Sequence, residues 1–325
     1  MIPRLLDTNE LTVVSAKRTR YRREPAFLAG LDDALRRTGA DGPRLLQAHC
    51  MTIVKPEGIA GARLDGVAEF ARSMGFRLLD TALCRLTPAA AAITWRYQMN
   101  AATPDRAALA FAMMNATDSL ALLWRQSPDR ELPASVRMAS RKGPADPAQR
   151  DPRDLRSALG SPNRVITFVH IPDEPIDLVR DMTYLLPAHA RSRFLESMST
   201  PHDGTEPALP KGPGRRSPHP ALMGPSAGVE AQERIIEAAT AALRRGRRQG
   251  AEELAKLRSE LGDGETPIGW PRIEGVLRMN EVHADFWDLI RVASDRGVHD
   301  RPGVEKLIGD SGVRGWVDGS GVRHG

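Results

Sequence analysis

The chain has 325 residues, 41% of them hydrophobic and 27% charged, the mix of a soluble globular protein with room for about two domains. No run of 18 apolar residues is present, which excludes a membrane-spanning helix, and the opening Met1-Ile-Pro-Arg lacks the layout of a secretory signal. Two cysteines, Cys50 and Cys84, exclude a disulfide framework and a Cys-based zinc site, so the expected setting is the reducing cytoplasm, with no membrane partner. The formal charge is +5, yet only six of the 46 basic residues are Lys. That skew, with abundant Ala, Gly and Pro, reflects base composition more than binding; the positive balance fits a polyanionic partner, nucleotide or nucleic acid, without choosing between them.

Residues 1–47 read as an N-terminal extension with a basic cluster, Lys17 to Arg23, and one helix carrying Phe27, Leu28, Leu31 and Leu35. His49 to Val54 is an apolar strand ending in the turn Lys55-Pro56-Glu57-Gly58. Leu64, Val67, Ala68, Ala71 and Met74 repeat at helical spacing until Gly75, and Phe76 to Leu86 reads as a second strand. Thr87-Pro88 is a helix start, with a cap and a proline at the first turn. A further helix covers 104–115, a third strand 119–124, and a loop rich in Pro, Asp and Arg runs over 141–162. Residues 164–170 read as a fourth strand, followed by a helix to about Leu186. The order predicts an α+β, ferredoxin-like split βαβ domain over 48–190: a four-stranded antiparallel sheet with helices on one face.

Residues 191–228 read as a Pro/Gly-rich linker, with five prolines between Glu206 and Pro220. Residues 229–325 are expected to be mostly helical. A long pattern over 229–261 breaks near Gly246–Gly250, shorter ones cover 276–292 and 303–308, and an unstructured tail closes the chain. The knot Arg244, Arg245, Arg247 and Arg248 is a second basic cluster.

Lys55 stands at the end of a buried strand in a chain that otherwise uses Arg, and a compact ammonium there suits a phosphate. His170 ends the fourth strand just before a helix start. A neutral imidazole in that place is a competent nucleophile, and Asp181, further along the helix, can orient it. Asp173 and Glu174 suit the first turn of that helix as caps and dipole partners. Arg141, Arg150, Arg153 and Arg156 populate the 141–162 loop.

Taken in order, Ile53-Val-Lys55-Pro-Glu-Gly58, Gly75-Phe-Arg-Leu78, Tyr97, Met114-Asn115, Leu122-Leu-Trp124, Pro144-Ala-Asp146, Arg156 and His170-x-x-Asp173, with Asp181 beyond, resemble a nucleoside diphosphate kinase domain. The resemblance implies a phosphate-accepting nucleophile at His170, with Lys55 and Tyr97 on the γ-phosphate and Arg156 on the phosphate chain. Arg137 is a second arginine, in a segment that aligns poorly. Leu109 falls where an apolar residue packs on the base, and Thr167 where an Asn contacts the sugar. Asp181 stands where a Glu holds the ring, and Asp173 lies beside the catalytic residue. The resemblance further implies Mg2+ carried by the nucleotide phosphates, a triphosphate donor such as ATP, a diphosphate acceptor, and a homo-oligomer. The sequence departs from the family at Thr167, which is too short to replace the amide, and at Pro172, which replaces a Ser. The family's phosphate-loop Thr falls at Lys142 or Gly143, and its Gly-Pro before the third strand falls at Asp118-Ser119.

Three readings follow. One is a phosphotransferase working through a phosphohistidine on His170. The second is a nucleotide-binding regulatory or scaffold protein with a degenerate site. The third is nucleic-acid binding through the two basic clusters.

Overall fold

Four strands make one antiparallel sheet: β1 (His49–Val54), β2 (Phe76–Cys84), β3 (Ser119–Gln126) and β4 (Val169–His170). Their order is β2-β3-β1-β4, so the first and last strands are neighbours at the centre and one edge. This is the split βαβ arrangement of a ferredoxin-like core. The computed structural model describes residues 8–127, 131–200, 205–210, 217–246, 250–309 and 311–318. Arg247, Arg248 and the end of the tail lie outside the described residues.

Three helices precede the sheet, α1 (Ser15–Tyr21), α2 (Pro25–Thr38) and α3 (Gly42–Ala48). Between β1 and β2 run α4 (Pro56–Ala60) and α5 (Leu64–Ser73), and between β2 and β3 run α6 (Pro88–Thr94), α7 (Arg96–Met99) and α8 (Pro104–Met114). Helices α9 (Ala134–Ser140) and α10 (Leu155–Ala158) lead to β4, and α11 (Pro175–Leu185) and α12 (Ala188–Ser199) follow it. The remainder is α13 (Ala227–Arg244), α14 (Ala251–Asp263), α15 (Trp270–Met279), α16 (Phe286–Arg296) and α17 (Ser311–Val317). Local chemistry sets several boundaries. Thr87 and Thr103 accept from the Ala90 and Arg106 N–H groups and cap α6 and α8, each with Pro in the first turn.

Alternate residues of the central strands point to opposite faces, and both faces are apolar. Cys50, Val54, Leu120, Leu122 and Trp124 belong to one buried cluster, while Met51, Ile53, Ala121 and Leu123 belong to the other. The first cluster meets α5, α8 and α9 and continues without a break into Ala231, Ile235, Leu254, Ile273 and Ile290 of the C-terminal helices. The second is closed by Tyr21, Phe27, Leu31 and Leu46 from the N-terminal helices and by α11 and α12.

The sequence expectations need four corrections. The N-terminal segment holds three helices rather than one, and it covers the second sheet face, so helices lie on both sides. A strand such as His-Cys-Met-Thr-Ile-Val, buried throughout, is what a sheet covered on both faces requires. The fourth strand has two residues, because Asn163 Oδ1 accepts from the Val165 and Ile166 N–H groups and Ser161 Oγ donates to the Ile166 carbonyl. Those bonds satisfy the backbone locally and remove it from the ladder. Residues 303–308 form no helix. The presumed linker begins within α12, and its Ala221 and Leu222 are fully buried in the first cluster. Both cysteines are buried free thiols. Among the described residues, no helix is long and apolar enough to cross a membrane.

Candidate active site

A cleft of about 700 Å3 opens beside the β1–β4 edge and is lined by Lys55, Lys142, Arg156, Thr167, His170 and Asp181, among others. His170 reaches it because Ile53 pairs with His170 and Val54 with Val169. Just before that pair the chain bends sharply: Phe168 has φ +61° and the Val169 N–H donates to the Thr167 carbonyl at 2.7 Å. A non-glycine residue in that region is strained, and such strain persists only where the surroundings fix it. Here the Phe168 side chain is fully buried with Arg63 stacked on its ring, and its carbonyl accepts from the Lys55 N–H at 2.9 Å. Gly58 completes the junction, since a Cβ there would lie 2.6 Å from the Phe168 oxygen. The Lys-Pro-Glu-Gly segment, expected as a turn and found as the cap and first turn of α4, is therefore one interlocked unit with the histidine segment.

The His170 ring is oriented by two contacts. Nε2 lies 2.6 Å from Asp181 Oδ2, and Trp95 packs edge-on with ring centroids 5.1 Å apart. A carboxylate at Nε2 fixes the proton there, so Nδ1 keeps its lone pair; Nδ1 has no protein partner among the described residues. The His170 side chain is 18% exposed and Asp181 is 5% exposed, so the carboxylate is shielded while the ring meets the cleft.

Cations line the same cleft as this ring. Lys55 Nζ donates to Thr167 Oγ1 at 2.9 Å and pairs with the fully buried Glu57 at 2.5 Å. Burial lowers the Lys55 pKa from its ordinary value, with Glu57 opposing and Arg156 adding to the fall. Arg156 Nη1 donates to the Gly143 carbonyl at 2.7 Å. Gly143 has φ +82° and a Cβ there would sit 2.7 Å from Asp154 Cβ, so only glycine fits the loop that aims the guanidinium. Lys142 pairs with Asp173 at 2.7 Å. Burial would raise the Asp173 carboxyl, but Lys142, then Lys17, hold it well below the usual carboxylate range.

The structure thus brings together His170, Lys55, Arg156, Thr167, Asp173 and Asp181. It does not bring in Tyr97, Leu109 or Arg137, and these three expectations are corrected. The Tyr97 hydroxyl donates to Glu24 at 2.8 Å, and Leu109 is 1% exposed within the first core cluster. Arg137 donates to the Met74 carbonyl and stacks on Phe76, tying α9 to the β2 side. Trp95, Ala110 and Met113 line the cleft instead. The N-terminal basic cluster is open only in part, at Arg22 and Arg23. Lys17 is buried between Glu174 and Asp177 at 2.8 and 2.5 Å, and Arg20 stacks on Tyr97.

No protein-family model and no curated protein sequence matches the chain. Among solved structures it is similar to the nucleoside diphosphate kinase of Aquifex aeolicus, at 18% identity and a TM-score of 0.36, over 43% of this chain and 96% of that one. It is also similar to that of Encephalitozoon cuniculi, at 12% identity and a TM-score of 0.36, over 42% and 87% of the two chains.

The sequence reading also passed over several cleft residues. Arg106 and Arg164 line the cleft and share Asp300 at 2.5 and 3.2 Å, and Lys306 and Arg314 line it too. The signal that singled out Lys55, a lysine in an arginine-rich chain, applies equally to Lys142 and Lys306. Among the described residues the cleft's carboxylates form no metal-holding group: Asp173, Asp177 and Asp181 face Lys142, Lys17 and His170, and Asp146 and Asp154 accept from the Ala148 and Asp151 N–H groups. The donor set therefore fits a divalent ion that arrives on substrate phosphates.

Proposed function

We propose that this chain is a phosphotransferase of the nucleoside diphosphate kinase type, carrying the γ-phosphoryl group of a nucleoside triphosphate on His170. The observation that supports the reading best is the His170–Asp181 pair at 2.6 Å, with the other ring nitrogen open to a cation-lined cleft.

In the first half-reaction the Nδ1 lone pair attacks the γ-phosphorus. An N–P bond forms as the bond to the bridging oxygen breaks, and the diphosphate leaves with the electron pair. The ring becomes cationic while it accepts the phosphoryl group, and Asp181 at Nε2 stabilises that charge. In the second half-reaction a terminal oxygen of another diphosphate attacks the same phosphorus and the ring regains its lone pair. Covalent catalysis divides a transfer between two mutually repelling polyanions into two easier steps. The protein's remaining task is positioning and charge neutralisation, assigned here to Lys55 and Arg156 on the phosphoryl oxygens. Thr167 holds the Lys55 ammonium in place, so its role passes from the sugar to the lysine. Mg2+, carried by the substrate phosphates, would supply further neutralisation.

The test is incubation with γ-labelled ATP. The expected product is acid-labile, base-stable label that His170→Ala abolishes and that an added diphosphate removes. Label that persists in His170→Ala would overturn the assignment. A second reading, nucleotide binding without turnover, draws on Tyr97 and Arg137 being held elsewhere; it predicts nucleotide binding with no label.

A further inference from the structure

The C-terminal segment contributes Lys306, Val313 and Arg314 to the cleft lining. From Val298 to Ile308 it is fastened to one bank. Thr103 Oγ1 donates to the Val298 carbonyl at 2.5 Å, and the Arg301 N–H donates to the Ala101 carbonyl at 2.8 Å. Asn100 Nδ2 donates to the Glu305 carbonyl at 2.8 Å, and the Ile308 N–H donates to the Tyr97 carbonyl at 3.2 Å. Helix α17 then seats on the opposite bank. Trp316 Nε1 donates to Glu174 Oε1 at 2.9 Å, and a Cβ on Gly312 would come within 2.8 Å of the Glu174 carboxyl carbon. Lys306, within the first anchorage of this strap, and Arg314, within the second, line the cleft.

A second observation concerns composition. The cleft is formed by roughly a tenth of the residues, so an even spread would place fewer than one of six lysines there. Lys17, Lys55, Lys142 and Lys306 all line it. Lys17 is committed to Glu174 and Asp177, and the other three place half of the chain's lysines in one concavity, where compact ammonium groups suit phosphate as point charges. Lys306 is exposed and sits on a segment with little core to serve, so packing does not account for it.

We infer that the strap is the outer wall of the ligand site, with Lys306 and Arg314 holding the phosphate chain of a polyphosphate ligand. The inference rests on the phosphotransfer reading for its ligand class, and it gives the C-terminal region a part in substrate recognition. Asp300, on the same strap, would fix Arg106 and Arg164 at the adjacent wall through the pairs at 2.5 and 3.2 Å.

The experiment measures binding of ADP and of inorganic tripolyphosphate by calorimetry, using the full chain with His170→Ala so that no group is transferred. Adding Lys306→Ala and Arg314→Ala is expected to weaken both ligands between tenfold and 100-fold, about tenfold for each charge-assisted contact. The melting temperature is read alongside, so that a loss of fold is told apart from a loss of ligand contacts. Gly312→Val, which drives α17 off Glu174, should weaken the same ligands with both cations still present. Affinities within twofold of the parent for the double substitution overturn the inference. Label on His170 of the native chain together with that result sinks the strap proposal alone. Tripolyphosphate binding that needs the two cations, with no label on His170, sinks phosphotransfer alone. A parent that binds neither ligand overturns both.

Discussion

Helix α11 carries two constellations of charge that differ in one respect. Toward its N-terminus and buried side, every group is answered by another protein group. Lys17 lies between Glu174 and Asp177, Tyr21 donates to Asp177 at 2.7 Å, and Thr12 and Trp316 donate to Glu174 at 2.7 and 2.9 Å. Arg180 donates to Glu24 and to the carbonyls of Ile93 and Thr94, with its guanidinium over the rings of Tyr21, Tyr97 and Tyr184. Next to Arg180 in the chain, Asp181 holds only one nitrogen of His170, and the other meets the cleft. Closure marks the first constellation as architecture that fixes the helix, and the open valence of the second is what the proposed phosphotransfer uses. Tyr97 shows why sequence position alone misassigns such residues: it lies in the right stretch of chain but is enclosed by the wrong network.

The sharpest way to break this contrast is to remove a member of the closed network. Arg180→Met leaves Glu24 buried without its main partner, and a buried ion pair broken from one side costs about 3–5 kcal/mol. Urea unfolding should show that loss, and a loss under 1 kcal/mol would mean that the network is not closed. At the open site the cost should fall on rate. Arg156→Ala is expected to slow label formation by about 10²–10³-fold while the unfolding midpoint moves little, and quench-flow labelling reads the difference.

A pH series sharpens the comparison further. Burial, with Glu174 and Asp173 nearby, pushes the Asp177 carboxyl up to about 6 despite Lys17. Folding therefore takes up a proton between about pH 4 and 6. Asp177's contribution to stability is largest at the acid end and is lost as the pH rises through 6. Asp173, held low, works in the opposite direction: its contribution is present at neutral pH and is lost as the pH falls. Subtracting the stability curve of Asp177→Asn from that of the parent should isolate a fall on the order of 1–3 kcal/mol between pH 4 and 6. A flat difference would refute the raised Asp177 carboxyl. The smallest effect belongs to Tyr97→Phe. It removes one hydrogen bond to Glu24, costs about 1 kcal/mol, and leaves the labelling rate unchanged. A large fall in that rate would return Tyr97 to the site.

Much of the core was legible in the sequence because it rests on short-range pattern. The β1 and β3 runs, the Thr-Pro helix starts and the break before α14 depend on neighbours a few residues apart. Part of the site was legible for the same reason: Lys55 and His170 end strands, and Asp181 follows His170 by 11 residues along an adjacent helix. The two-residue length of β4 was not legible, because side chains from Ser161 and Asn163 compete with the ladder for the backbone. The direction of Tyr97 was not legible either. It depends on Glu24 and Arg180, 73 residues before it and 156 residues after Glu24 respectively.

The sequence by itself determined a four-stranded antiparallel core and which strand ends carry Lys55 and His170, since periodicity, caps and breakers act locally. Tertiary structure decided which polar groups close on one another and which remain open, that the N-terminal helices cover the second face of the sheet, and that Lys306, Val313 and Arg314 join the cleft lining. Those outcomes depend on packing between segments far apart in the chain, where burial makes an unpaired charge costly and each group takes the partner that the fold brings within reach.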